Sequence, residues 1–175
     1  NAALMGIGNT RRIVLGDTLL KRFTHDEIET VMAHELGHHV HADIPKLMAV
    51  QSAISFVGLY VTNVVLQWGT DALGFGSVSD VAALPLLALT LGLVGTVTAP
   101  IAGAFSRWVE AQADDYALRL TNKPEAFADA MIRLANQNLT ELRPARWVEV
   151  LLYDHPPVGA RIAAAQRFAA GREKG

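Results

Sequence analysis

Two stretches of this chain carry no charged residue, Leu47 to Trp68 and Val81 to Ser106. Each is over twenty residues long, enough for a helix rising about 1.5 Å per residue to cross a hydrocarbon core of about 30 Å. The alternatives are a pair of buried core helices or an amphipathic hairpin covered by a partner, and span length favours a membrane hairpin. Gln51, Asn63 and Gln67 make the first stretch the less apolar. Pro85 and Pro100 in the second are better tolerated in membrane helices than in soluble ones. The link from Gly69 to Asp80 carries Asp71 and Asp80 but no Lys or Arg, whereas Lys46 and Arg107 flank the pair and Arg11, Arg12, Lys21 and Arg22 lie upstream. The positive-inside rule then turns the link outward and both flanks toward the cytoplasm. Two crossings return the chain to one side, so segments before and after the hairpin can share a site.

The chain's 175 residues suffice for one ordinary domain with a sizeable core. A net charge of −2, with no basic excess, argues against nucleic acid as a partner. The absence of cysteine excludes disulfides and thiolate metal ligands. The chain opens on Asn1 with no signal-like segment and reads as a fragment or processed product of something longer.

The chemistry lies in His34-Glu35-Leu36-Gly37-His38. Thr24 and Glu27 form a capping-box signature, so a helix is expected to start there and run to Val40, with Ile28, Val31, Met32, Leu36 and Val40 as its apolar face. Residues four apart on a helix stack one turn above each other, so His34 and His38 project together. Two imidazoles so placed can grip one zinc ion, with Glu35 beside them as general base for a zinc-activated water. A surface helix with two histidines is the plainer reading of so short a pattern.

Upstream, residues 1–7 and 11–15 are strand-like and flank Gly8-Asn9, a favoured pair for a tight hairpin turn. The hairpin is either purely structural or offers its free edge to an extended peptide. Asp17 to Lys21 reads as a short helix. Downstream, Ser106 to Leu120 continues the second apolar stretch as helix. Pro124 opens another, through Phe127, Met131, Leu134 and Leu139; Arg143 to Leu152 forms a further one; and Tyr153-Asp-His-Pro-Pro157 breaks the chain before a last helix with Arg161 and Ile162.

A catalytic zinc needs a third protein ligand. His41 lies seven residues from His34, about 10.5 Å along a helix, too far for one ion to take both with His38. His39 points off the ligand face. Both read as solvated helix histidines. Glu110 is the better candidate, with Asp114 one turn on where a carboxylate could hold a ligating histidine in its tautomer. An acidic face paired with Arg107 is an equally good account of the same residues.

The run Asn1-Ala-Ala-Leu-Met-Gly-Ile-Gly, Arg12-Ile-Val-Leu-Gly-Asp-Thr-Leu-Leu20, the histidine helix, Ser106-Arg-Trp-Val-Glu-Ala-Gln-Ala-Asp114 and His155-Pro-Pro157 with Arg161 resembles the type I CAAX prenyl proteases, integral-membrane gluzincin metalloproteases. The related HtpX-type heat-shock proteases share the zinc segments and the hairpin. The resemblance implies a mainly α fold with a small β-hairpin, a zincin-like protease domain interrupted by a two-helix transmembrane hairpin. It implies His34, His38 and Glu110 as ligands of one Zn2+ per chain, Glu35 as general base and acid, Asp114 as support behind a ligand, His155 as oxyanion stabiliser and Arg161 as a brace. Asn1, Ala2 and Ala3 would align substrate on an edge strand. Residues 1–46 and 107–175 would form the two halves of the protease and 47–106 the hairpin. The expected partners are a peptide or protein substrate and membrane lipid, at an integral-membrane site facing the cytoplasm. Two departures stand out: family enzymes have several membrane helices ahead of this region, and Asp154 stands where Ser is commoner. Alternatives to prenyl processing are HtpX-like membrane-protein quality control, a catalytically incomplete metal-binding or scaffold module, and a purely structural helical membrane protein.

Overall fold

The computed structural model describes residues 2–6 and 8–172. Its elements are strands β1 (Ala2–Met5) and β2 (Arg12–Leu15), then helices α1 (Asp17–Arg22), α2 (His25–Val40), α3 (Asp43–Leu73), α4 (Leu84–Thr121), α5 (Pro124–Asn138), α6 (Arg146–Leu152) and α7 (Val158–Arg172). The mainly helical architecture with one small sheet is as expected. Asn1, expected on the edge strand, lies outside the described residues.

The strands pair antiparallel from Ala2 with Leu15 to Met5 with Arg12. Residues 6–11 therefore lie between the last paired positions, where a two-residue turn at Gly8-Asn9 was expected. A 3-10 turn over Gly8–Thr10 fills part of the connection. Gly6 enters it at φ +92, and a Cβ there would stand 2.4 Å from the Thr10 carbonyl oxygen, so only glycine fits.

The Thr24 capping box starts α2: the threonine hydroxyl accepts from the Glu27 backbone N–H, and the Glu27 carboxylate accepts from that of Thr24. Glu27 is buried and also receives the Arg133 guanidinium at 2.7 Å, tying α2 to α5. The core beneath the sheet gathers Leu19, Phe23, Val31, Phe127, Met131 and Ala165. Burying such side chains contributes roughly 1.5–3 kcal/mol each.

The expected apolar face of α2 is split. Val31 is buried, whereas Met32, Leu36 and Val40 are exposed. The cause is close approach: a Cβ on Gly37 would stand 3.1 Å from the Ala113 Cα, so α2 meets α4 across small residues and the bulky ones point away. Two other expectations shift at helix ends. Leu139 is not on the apolar face of α5 but caps its end in the left-handed region, 92% exposed. The next helix begins at Arg146 rather than Arg143, because Pro144 disfavours helical geometry at the residue before it.

Helices α3 and α4 pair as the long hairpin, and both are long and apolar enough to cross a membrane. They touch through small residues. A Cβ on Gly58 would lie 2.9 Å from Val94 Cγ1, and one on Gly69 would lie 2.5 Å from Leu86 Cδ2. Buried Thr62 and Thr90 return their hydroxyls to the carbonyls of Gly58 and Leu86 at 2.8 Å, so both hydroxyls are met within their own helices. The other faces present Phe56, Tyr60, Trp68, Leu89, Leu93 and Val97 outward. These outward faces carry the apolar surface that a membrane-crossing hairpin would need.

Candidate metal centre

Helices α2 and α4 face each other across the Gly37–Ala113 contact, and the side chains one turn to either side converge. His34 Nε2 lies 3.1 Å from His38 Nε2. The Glu110 carboxylate stands 3.3 Å from the first and, through its other oxygen, 3.5 Å from the second. A tetrahedral ion with bonds of about 2.0–2.1 Å has donor–donor edges of roughly 3.3–3.4 Å. The three side chains are thus spaced to hold one ion.

The donors' chemistry agrees with their spacing. His34 Nδ1 is 2.9 Å from Asp114 Oδ1, and His38 Nδ1 is 2.9 Å from Asp43 Oδ2. Each carboxylate can accept an Nδ1 proton, so a ring that gives up its other proton turns an Nε2 lone pair inward beside Glu110. Three electron-rich groups in one place call for a cation. Asp114 is itself held by Arg161 in a two-pronged pair, with Nε donating at 2.8 Å. Arg161 Nη2 is 3.4 Å from His34 Nδ1, but both are donors once Asp114 takes the imidazole proton, so charge rather than a hydrogen bond acts there.

Burial strips water from the His34 ring and favours its neutral form. Hydrogen bonds to Asp114 and Glu110 outweigh this, against an opposing push from Arg161, and raise its pKa to about 9. Burial likewise works against charge on Glu110 and Asp114. Glu110 is nevertheless held below the usual carboxylate range by His34, His155 and His38, and Asp114 by Arg161 and His34.

These side chains lie in a cleft of about 760 Å³ that Glu35, His155, Arg161, Ala2 and Ala3 also line. Of the residues picked out from the sequence, His34, Glu35, His38, Glu110, His155, Arg161, Ala2 and Ala3 line this cleft, Asp114 stands behind His34, and Asn1 lies outside the described residues. His155 is exposed: its Nε2 is 3.4 Å from Glu110 Oε1, and Asp154 Oδ1 accepts from its Nδ1 at 2.8 Å. The departure at Asp154 therefore supplies an orienting carboxylate. Strand β1 has β2 as its one strand partner among the described residues, so a second edge remains for an extended peptide.

Arg107 does not pair with Glu110 or Asp114. It donates instead to the carbonyls of Glu149 and Tyr153, at the end of α6. His41 departs from expectation too. It is half-buried, its ring edge-on to Tyr116 at 5.7 Å and its Nδ1 without a hydrogen-bond partner among the described residues. His39 is exposed as expected and meets Arg11 at 2.7 Å. The role of Asp43 and the partners of Arg107 escaped the sequence reading. Asp43 reaches His38 because Ala42 turns the chain through the left-handed region between α2 and α3. An acid in the first turn of the next helix was the available signal.

The sequence profile of peptidase family M48 matches residues 1–169. The chain belongs to that family. It is 32% identical over 171 residues to the uncharacterized metalloprotease YhfN of Bacillus subtilis, covering 95% of this chain and 40% of that protein. It is 30% identical over 167 residues to a CAAX prenyl protease 1 homolog of Oryza sativa subsp. japonica, covering 94% and 39%. Protease HtpX of Shewanella piezotolerans is 28% identical over 174 residues, with 89% and 59% covered. The crystal structure of S. mikatae Ste24p superposes with a TM-score of 0.78 at 26% identity, over 94% of this chain and 42% of that one. This M48 chain thus spans 39% to 59% of the length of these curated relatives. The family and its relatives imply a metal, and the donor set fits one.

Proposed function

We propose that this M48 chain is the catalytic part of a zinc-dependent endopeptidase of CAAX prenyl protease type, working at a membrane. The observation that carries the reading is the convergence of His34, His38 and Glu110, two of them backed by carboxylates, in a cleft beside an open strand edge. His34, His38 and Glu110 would hold Zn2+, which when bound supplies Lewis acidity for peptide hydrolysis. Glu35 lines the same cleft and acts as the proton carrier, taking a proton from water on its carboxylate and passing it to the leaving nitrogen. His155 is aligned by Asp154, and as the doubly protonated ring it would donate Nδ1–H to Asp154 and Nε2–H to the oxygen on which negative charge develops. Asp43, Asp114 and Arg161 keep the two ligating rings in one tautomer and one orientation. The substrate backbone adds beside Ala2 and Ala3 as a further strand. With the uncharged stretches 47–68 and 81–106 in lipid, the cleft faces the cytoplasm by the positive-inside rule.

The test is metal content and cleavage of an internally quenched peptide by the purified chain, before chelation, after it, and after Zn2+ is restored. Chelation should abolish cleavage and zinc should return it. Bound zinc with no cleavage would support a scaffold, and failure to take up any metal would sink the reading. Release of a C-terminal tripeptide only from prenylated peptides would support prenyl processing, whereas indifference to the prenyl group would favour general turnover of membrane proteins.

A pH dependence follows from His34. Its folded pKa of about 9 exceeds the ordinary 6.5, so protonated His34 stabilises the chelated chain fully below pH 6.5, and that contribution is lost as pH rises through 9. A metal must displace this proton. Apparent zinc affinity should therefore climb about tenfold per pH unit across that window and then level off. The gap in melting temperature between zinc-loaded and chelated protein, measured from pH 6.5 to 9, should widen accordingly. A constant gap would exclude the proton competition.

A further inference from the structure

We propose that α6 is an interfacial membrane anchor, lying among the lipid headgroups beside the inner end of α4 with Trp147, Val150 and Leu151 toward the acyl chains. This rests on the reading of α3 and α4 as a membrane hairpin. No residue of α6 is buried, although five of its seven side chains are Trp, Val or Leu. Trp147 is 65% exposed and Leu151 48%, and with Val150 they follow the spacing i, i+3, i+4 that places them on one face.

The level of this helix is set by its contacts with α4. Gly103 lies inside the uncharged stretch, three residues or about 4.5 Å before its end at Ser106. A Cβ on Gly103 would stand 3.0 Å from the Tyr153 carbonyl oxygen, so the end of α6 packs directly on that last apolar turn. Arg107 folds back over the same turn. It donates to the carbonyls of Glu149 and Tyr153, the negative end of the α6 dipole, so its charge is met by protein at the edge of the apolar layer. Whatever surrounds this turn of α4 also surrounds α6. On α4, Ala99 and Thr96, one and two turns before Gly103 on the same face, are exposed, so α6 adjoins the outer surface of the helix assigned to lipid.

The polar groups complete the pattern. Exposed Arg143 and Arg146 stand just before and at the start of α6, where anionic headgroups would meet them. Lys46, at the foot of the first apolar stretch, lies 6.0 Å from the ring of half-exposed Trp108 at the foot of the second. Trp108 and Trp147 supply aromatic rings, and Lys46, Arg143 and Arg146 charges, around the feet of the apolar stretches and α6, the composition of a membrane–water boundary. Because Tyr153, Asp154 and His155 follow directly on α6, an anchored α6 fixes the depth of His155 and the cleft mouth relative to the bilayer.

The chain's three tryptophans allow a direct test. A chain keeping Trp147 alone (Trp68→Phe, Trp108→Phe) and one keeping Trp68 alone (Trp108→Phe, Trp147→Phe) are reconstituted into phosphatidylcholine–phosphatidylglycerol vesicles. Their lipids are brominated either near the headgroup or at mid-chain. Trp147 should be quenched about twofold or more by the shallow bromines and less by the deep ones. Quenching of Trp68 without quenching of Trp147 overturns the anchor while leaving the hairpin in place. A blue-shifted but unquenched Trp147 likewise overturns it, since protein then covers α6. If neither residue is quenched, the membrane hairpin itself fails and the anchor falls with it.

Discussion

Glu35→Gln will keep its zinc and lose peptide cleavage by about 10²- to 10⁴-fold, the range associated with removing a general acid–base. The substitution is nearly isosteric and leaves His34, His38 and Glu110, with the carboxylates behind the two rings, as they are. The amide cannot accept a proton from water, and so has none to deliver to the leaving nitrogen. Metal content should stay at one equivalent, and KM should move little because the strand edge at Ala2 and Ala3 is untouched. The check is parallel elemental analysis and steady-state kinetics on wild type and variant. Unimpaired turnover in the variant would remove Glu35 from the chemistry. Loss of zinc along with activity would give it a structural role instead.

The second large effect is expected one layer behind the metal ligands. Asp114→Ala leaves the largely buried Arg161 guanidinium without its two-pronged partner and leaves the Nδ1 side of His34 without an acceptor. Breaking a buried pair by removing one member costs about 3–5 kcal/mol, and losing a carboxylate behind a ligating histidine weakens metal binding by about 10- to 100-fold. The variant should therefore denature at markedly lower denaturant concentration and need more zinc for half-saturation. Asp114→Ala with Arg161→Met removes the stranded charge as well. It should regain much of the stability but not the metal affinity, because His34 still lacks its acceptor. If both properties recover together, Arg161 rather than His34 is what Asp114 serves.

How far these residues could be read from the sequence varies with how local their reasons are. The helix with His34 and His38 was legible because the capping box and the four-residue spacing both act within one element. The long hairpin was legible because uncharged length alone demands it. The outward turn of Met32, Leu36 and Val40 was not. Periodicity reports that a face is apolar, whereas the decision to bury small residues instead came from the approach of α4 to Gly37. Asp43 was missed for a related reason: the reversal at Ala42 places it behind His38, and Ala42 bears no conventional turn signal. Arg107 was weighed only against its neighbours on the same helix, while its partners lie more than forty positions away in the chain. The joint between Glu110 and the two histidines lay beyond periodicity too, and the resemblance to known proteases supplied it.

The order of ligands along the chain has a temporal meaning. His34 and His38 precede the hairpin and Glu110 follows it, so the third ligand emerges from the ribosome only after both long helices have been made. With those helices in lipid, the donor set closes when the second crossing is complete and the chain has come back to its original side. On the proposed reading, cleavage could not begin before both crossings are made, and it would wait further for His155 and Arg161, which follow α4 in the chain. Membrane threading would then serve as the first safety catch.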